Sequence, residues 1–294
     1  MNIALCTDEK YAFPCGVCIT SILENNKDEE CNIYILTSGL TNKTTRKFNE
    51  LSKCYNQNIE IITIDNNSFN NLKVCNRFPT SIYYRFLLPD LLVNIDKILY
   101  LDCDIIVTGS IKELWETDIR RHACGVIEDQ KSDDIRIQNR LELYTAYFNS
   151  GVLLINLDYW RENQTAEKLI EFIYQNPDKC VYPDQDALNF ILHDNVKFLE
   201  YKYNYQEFFY IPKEETFLHK RKWCNLIYDE ETPIVVHYTN ETKPWITTCN
   251  HPHKDLFYKY KAISPWHKYK IKSPYTAKGK IVTIIKQVIR ILKL

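Results

Sequence analysis

Glycine is scarce, at 6 of 294 residues, and neither G-x-G-x-x-G nor G-x-x-x-x-G-K occurs. A glycine-rich phosphate cradle is therefore excluded, and any nucleotide must be held by other means. Long apolar runs are missing too. No stretch of about 18 apolar residues exists, so nothing in the sequence reads as a bilayer span. Met1–Asp8 carries no basic residue ahead of its short apolar run and does not read as a signal peptide. Acidic residues are missing from Trp266 onward, whereas 8 of the 37 Lys and Arg lie there. All 38 Asp and Glu precede it, which leaves the body nine charges negative and the tail eight positive. That asymmetry points to an anionic partner for the tail. Cysteine is not lacking: the 11 are odd in number and scattered, and read as reduced cytosolic thiols, mostly in the core. Cys15 and Cys18 have redox spacing but fall in the first turns of a predicted helix, where a core role is favoured.

What is present is an alternation of short apolar runs with helical patterns. Strands are expected at Ile3–Cys6, Asn32–Thr37, Ile59–Ile64, Ile98–Leu101, Cys124–Ile127, Gly151–Leu157 and Pro233–Tyr238. Helices are expected at Pro14–Asn25, Thr41–Tyr55, Thr80–Leu92 (capped by Thr80 or Ser81), Asp184–His193 and, in two pieces, Asp158–Asn176. Val196–Tyr210 and Phe217–Tyr228 read as aromatic loops. The pattern predicts an α/β fold with a mostly parallel sheet covered by helices on both faces. Ligands on such sheets gather at the carboxyl ends of strands.

The most informative stretch is Ile98–Val107, where Asp102 and Asp104 flank Cys103 inside an apolar, β-branched run. In an extended segment, side chains at i and i+2 leave from the same face, so the two carboxylates converge if the backbone stays extended. Bare carboxylates at close range repel and raise one pKa. A divalent cation removes the conflict, and carboxylate oxygens suit Mg2+ or Mn2+. The other reading of these residues alone is a strand leaving the core into a turn with both Asp solvated.

Asp8, Asn149, Asp184, Gln185, His237 and Lys243 also sit at strand ends where core patterning does not need them. Leu101-Asp102-Cys103-Asp104, the run Phe148-Asn149-Ser150-Gly151 through Leu157, Asp184-Gln185-Asp186, His237-Tyr238 and Lys243-Pro244-Trp245 follow one another in an order and spacing that resembles family 8 glycosyltransferases. Bacterial lipopolysaccharide galactosyl- and glucosyltransferases are the most similar members, with glycogenin more distant. The resemblance covers about residues 1–250. It implies a GT-A nucleotide-diphospho-sugar transferase fold over 1–263, followed by a basic amphipathic tail over 264–294. It implies retaining transfer of glucose or galactose from a UDP-sugar to a hydroxyl of a cell-surface glycan, such as lipopolysaccharide or capsule, at the cytoplasmic face of the membrane.

The resemblance also assigns roles. Asp102, Asp104 and His237 would bind Mn2+ or Mg2+. Thr7, Asp8 and Tyr11 would hold uracil and ribose, with Cys103 alongside. Arg85, Asp129 and Asn149 would lie near the donor sugar, and Lys243 on the diphosphate. Gln185 and Asp184 would be catalytic. Gln185, nearest the anomeric carbon, is an amide and a poor nucleophile, which favours front-face attack; Asp184 is the alternative nucleophile. One departure is Asn240-Glu241-Thr242, which lacks the small Gly-containing stretch of many relatives and adds a negative charge beside Lys243.

In the tail, Trp266, Tyr269 and Tyr275 interleave with Lys268, Lys270 and Lys272. Ile281, Ile284, Ile285, Val288, Ile289 and Leu292 share one helical face, opposite Lys286, Arg290 and Lys293. Such a helix lies on an anionic membrane rather than crossing it; a helix docked on the body or on a second copy is the alternative. Nucleic acid is not expected, because the acidic body opposes it. Two other functions fit parts of the pattern. One is a catalytically inactive, membrane-bound sugar-nucleotide binder. The other is a haloacid-dehalogenase-type phosphohydrolase with Asp102 as nucleophile and Asp104 as acid/base, although that motif belongs near a domain start and here follows the fourth strand.

Overall fold

The structure, a computed structural model, describes residues 1–65, 79–210 and 233–271. Its centre is set by apolar runs buried on both faces, among them Ile3–Leu5, Ile98–Leu101 and Val152–Ile155. Such runs suit strands covered on both sides. They lie in β1 (Asn2–Cys6), β4 (Lys97–Leu101) and β7 (Phe148–Asn156). With β2 (Asn32–Thr37), β3 (Asn58–Thr63), β6 (Cys124–Glu128) and β8 (Val196–Phe198) they form a seven-stranded sheet in the order β3-β2-β1-β4-β7-β6-β8. β7 is antiparallel to both neighbours, and the remaining pairs are parallel.

Strand periodicity divides the core into two layers. Ile3, Leu5, Leu99 and Leu101 join the layer that holds Val17 and Ile22 of α1 (Ala12–Asn25) and Phe48 and Leu51 of α2 (Asn42–Tyr55). Ala4, Ile98 and Tyr100 face the other layer. There they meet Trp160 of α6 (Leu157–Glu162), Leu169 of α7 (Thr165–Gln175) and Leu188 of α8 (Pro183–Leu192). Short helices α3 (Leu88–Leu91), α4 (Lys112–Glu116) and α5 (Ile135–Leu141) connect these elements. A second sheet of three short strands, β5 (Ile105–Val107), β10 (Val235–His237) and β9 (Tyr205–Gln206), has β10 in the middle. α9 (Lys254–Ile263) packs its Phe257 and Tyr260 into the α1 side.

Most expected elements appear within one or two residues of their predicted ends, and four expectations change. Val196–Tyr210, read as an aromatic loop, contains β8 and β9, each too short to leave a strand pattern. Residues Thr80–Leu87 wind as a 3-10 helix before α3, and neither Thr80 nor Ser81 caps it with a side chain. Pro89 is the reason: it has no N–H, and its ring clashes with the carbonyl four residues back, so one continuous α-helix cannot run through. The Asp102–Asp104 segment is a turn between β4 and β5, not one extended strand. β7 begins at Phe148 rather than Gly151. The expected loop at Phe217–Tyr228 and the amphipathic tail face lie outside the described residues.

Trp266, assigned to the tail by sequence, is a core residue with 3% exposure. A Cβ on Gly16 would fall 2.1 Å from the Trp266 ring, so only glycine lets the indole lie against α1. Phe48 meets the same ring at 5.0 Å between centroids, and Tyr269 stacks on Phe13 at 4.2 Å. The packed body thus continues past residue 263. Trp266→Ala should lower unfolding free energy by about 3 kcal/mol, read as a lower midpoint in urea with an unchanged slope.

Candidate active site

The site is built on an irregularity in β7. Pairing with β6 follows Val126 to Leu153, then jumps to Ile127 opposite Asn149. Ser150–Val152 are thereby freed from the β6 ladder, and their backbone groups find other partners. Ser150 N–H donates to Gln185 Oε1 at 3.0 Å, and Gly151 N–H donates to Asn149 Oδ1 at 3.0 Å. The Gly151 carbonyl accepts from the Asp102 N–H at 2.9 Å, and the Ser150 carbonyl accepts from Arg85 Nη1 at 2.6 Å. Bulges recur beside active sites because they re-aim side chains in this way.

Arg85, 2% exposed, is at the centre. Its guanidinium reaches Asp102 Oδ1 at 3.2 Å and Asp184 Oδ2 at 3.3 Å, with the Tyr100 ring 3.9 Å beneath. Burial alone would lower its pKa, but Tyr100, Asp184 and Asp102 outweigh burial and raise it. Beside it, Gln185 Nε2 donates to Asp129 Oδ2 at 3.2 Å, and Asn149 Nδ2 donates to the same oxygen at 3.0 Å. Ser150 Oγ donates to Asp184 Oδ2 at 3.1 Å. The first turn of α8 carries Asp184 and Gln185, and Asn189 one turn later clamps that helix to Phe148 through both backbone groups.

Asp102, Asp104 and His237 offer ligand atoms that all lie within 4.8 Å of one another. His237 Nε2 is 3.2 Å from Asp104 Oδ1 and 3.9 Å from Asp102 Oδ2. The turn after β4, not strand alternation, brings the carboxylates together, and β10 brings the imidazole through its pairing with β5. Their electrostatics diverge. Burial raises the Asp102 pKa and Asp104 adds to the rise, against Arg85 and His237. Asp104 is half-buried and desolvation opposes its ionisation, yet Lys243 and His237 hold its carboxyl well below the usual range. This is the conflict that a divalent cation relieves. The donor set fits one: His237 Nδ1 engages Asn204 Oδ1 at 2.9 Å, which leaves Nε2 directed at the carboxylates. Gly151 is required here, because a Cβ would sit 2.3 Å from His237 Cε1 and 2.9 Å from Asp102 Oδ2.

These groups line one cleft of about 450 Å³, together with Tyr11, Cys103, Asp129, Asn149, Asp184, Gln185, Glu241 and Lys243. Lys243 Nζ rests 2.8 Å from Asp104 Oδ2. Thr7 is buried just behind at the end of β1, and Asp8 accepts the Tyr11 N–H at 2.8 Å where α1 begins. Tyr11 is 40% exposed and meets Trp245 edge-on at 5.9 Å. The structure thus gathers the sequence-selected residues at one end of the sheet, with Thr7 and Asp8 behind rather than in the lining. Sequence reasoning missed Asn204, Ser150, Tyr100 and the buried Asp186. Asp186 accepts from Tyr147 at 2.6 Å and Arg140 at 2.9 Å. Ser150 and Asp186 carried a signal, as parts of Phe148-Asn149-Ser150-Gly151 and Asp184-Gln185-Asp186.

A model of the family described as glycosyl transferase family 8 matches residues 2–249. The chain belongs to that family. This family 8 transferase is 32% identical over 271 residues to a lipopolysaccharide 1,2-glucosyltransferase of Escherichia coli, spanning 90% of this chain and 79% of that one. It is 30% identical over 273 residues to general stress protein A of Bacillus subtilis, spanning 91% and 95%. Its fold matches the galactosyltransferase LgtC, solved with donor and acceptor sugar analogues, at a TM-score of 0.82 and 24% identity, over 90% of this chain and 96% of that one. The expected GT-A architecture therefore holds. Gly151→Ala in this family 8 transferase should displace His237 and weaken any divalent-cation affinity of the triad by about 10- to 100-fold, tested with Mn2+ as probe through the paramagnetic signal of the free ion.

Proposed function

We propose that this chain is a retaining, metal-dependent hexosyltransferase that moves glucose or galactose from a UDP-sugar to a hydroxyl of a cell-surface glycan. One observation carries the reading: the Asp102-Asp104-His237 triad opens into the same cleft as the Asp129-Asn149-Gln185 amide and carboxylate cluster. The first group suits a diphosphate with its cation, and the second suits sugar hydroxyls. Mn2+ is the favoured cation, since an imidazole joins the carboxylates. The lipopolysaccharide transferases among the relatives support a lipid-linked glycan as acceptor.

Asp102, Asp104 and His237 would hold the cation, which would supply charge neutralisation for the departing diphosphate. Lys243, whose ammonium already lies at Asp104 Oδ2, turns to the same phosphates and stabilises the negative charge that develops there. Tyr11, open at the cleft edge, stacks on the base. The Gln185 amide oxygen is occupied by the Ser150 N–H and Asn149 Nδ2, and the Asp184 carboxylate is held by Arg85 and Ser150 Oγ. Gln185 is an amide and a poor nucleophile, which favours front-face attack; both contacts on Asp184 fall on Oδ2, so Asp184 remains the alternative nucleophile. The acceptor oxygen bonds to the anomeric carbon as the bond to the diphosphate breaks, and the hydroxyl proton passes to the leaving diphosphate oxygen. Asp129, Asn149 and Gln185 position the donor sugar throughout.

Incubation with a panel of UDP-sugars should release UDP from one of them in Mn2+ but not in EDTA. Asp104→Ala should reduce that release by about 100-fold or more. Gln185→Ala should leave measurable turnover, whereas complete loss in a folded protein would favour a covalent intermediate. No release from any sugar, with UDP still bound, would favour the inactive-binder reading.

The enzyme works at the cytoplasmic face of the membrane, held there by its basic C-terminal side. No helix among the described residues is long and apolar enough to cross a bilayer. Support for a surface role comes from around Trp266. Lys47 lies 5.0 Å over that ring, and burial, Lys43 and Lys261 lower its pKa, with Glu50 opposing. Three ammonium groups thus lie near one another beside Trp266, and the exposed Lys268 and Lys270 follow that residue in the chain. Full-length protein should co-sediment with phosphatidylglycerol vesicles and not with phosphatidylcholine alone. Lys43→Gln, Lys47→Gln and Lys261→Gln together should weaken that binding by about tenfold or more and leave UDP release intact.

A further inference from the structure

We infer that Asn204 is a positioning residue that couples the metal ligand His237 to the donor-sugar pocket, so that cation and sugar bind cooperatively. The inference rests on the metal and UDP-sugar reading above and deepens it. Asn204 lies just before β9 and is fully buried. Its Oδ1 faces His237 Nδ1 at 2.9 Å, and its Nδ2 donates to Asn149 Oδ1 at 2.9 Å. Asn149 continues the line, since its Nδ2 donates to Asp129 Oδ2 at 3.0 Å and to Gln185 Oε1 at 3.2 Å. An unbroken buried chain therefore runs from the imidazole at the cation site to three side chains of the sugar cluster.

Each link has a fixed sense. An amide presents its oxygen on one side and its NH2 on the other. With Asn204 Nδ2 committed to Asn149, its Oδ1 must face His237, and the ring N–H that it accepts fixes the tautomer that leaves Nε2 as the ligand. Asn149 Oδ1 also accepts the Gly151 N–H, so turning either amide would break bonds at both ends of the bulge. β9 itself is locked in place two residues on, where Gln206 Oε1 accepts the Gln130 N–H at 3.1 Å and Gln206 Nε2 donates to the Glu128 carbonyl at 2.9 Å. A sugar hydroxyl bonded to Asn149, Asp129 or Gln185 restrains Asn149, then Asn204, then the imidazole. Cation binding then loses less freedom, and linkage requires the converse: a bound cation favours the sugar by the same factor. Bare UDP, which has no sugar to touch Asn149, gains nothing through this route.

The experiment measures the Mn2+ dissociation constant of the full-length protein alone, with UDP, and with whichever UDP-sugar the release assay identifies, without acceptor. In the wild type the UDP-sugar should tighten Mn2+ severalfold more than UDP does. Asn204→Ala should weaken Mn2+ binding to the unliganded protein by about 10- to 100-fold and abolish the difference between UDP-sugar and UDP. Asn204→Asp keeps the acceptor for His237 but replaces the donor to Asn149. It should retain Mn2+ affinity to within a few-fold and still lose the sugar-dependent gain, and it serves as the deciding variant if Asn204→Ala melts early. A wild-type ratio in Asn204→Asp, or no sugar-dependent gain in the wild type, would overturn the coupling. Absence of Mn2+ binding in all three states would overturn the metal reading itself, and this inference with it.

Discussion

A single buried guanidinium is the constraint on which the site depends. Arg85 touches one carboxylate of the cation triad, one carboxylate of α8 and the carbonyl of the β7 bulge. Burying one cation among these groups is tolerable only because each of its edges is engaged; take it away and two acidic side chains face each other in a low-dielectric pocket. Its planar fork and its seat on the Tyr100 ring explain why a lysine could not serve, as a point charge can neither stack in that way nor bridge these three acceptors. The 3-10 winding of Thr80–Leu87 carries Arg85 into the interior.

Around that charge the protein separates two problems. On the proposed function, one wall, with the triad and Lys243, would answer to phosphate. The other, with the Asn149 and Gln185 amides and the Asp129 carboxylate, would answer to hydroxyls. β7 forms the boundary, and Gly151 occupies the point where the walls come closest. Asp102 and Asp104 differ in their surroundings. Burial raises the Asp102 pKa although its Oδ1 accepts from both Arg85 and Tyr100, while Lys243 and His237 hold the Asp104 carboxyl low.

The fold was largely legible because buried strands and the helices between them leave strong apolar patterns, and the paired aspartates stood out as charges in such a run. The order of Asp102, Asn149, Gln185 and His237 along the chain then carried the family resemblance. Other features left no pattern. The β7 bulge replaces one ladder with side-chain and cross-strand bonds, and nothing in Asn149-Ser150-Gly151 announces a skipped register. Asn204 sits in an aromatic stretch that reads as loop, since its value lies in two partners 33 and 55 residues away. Trp266 was misplaced because a tryptophan among lysines looks interfacial by composition, whereas the space opened by Gly16 is visible only in three dimensions.

The small β5-β10-β9 sheet also governs timing. Its central strand delivers His237 to a turn made some 130 residues earlier in the chain. During synthesis the two aspartates leave the ribosome long before the histidine, Asn204 or Lys243, and the first four strands can pair while the cation site is still open on one side. The ordering of synthesis thus makes the site one of the last features to be completed. A nascent or truncated chain that stops short of β10 can own a nearly complete nucleotide-binding sheet and yet lack the histidine needed to close the triad.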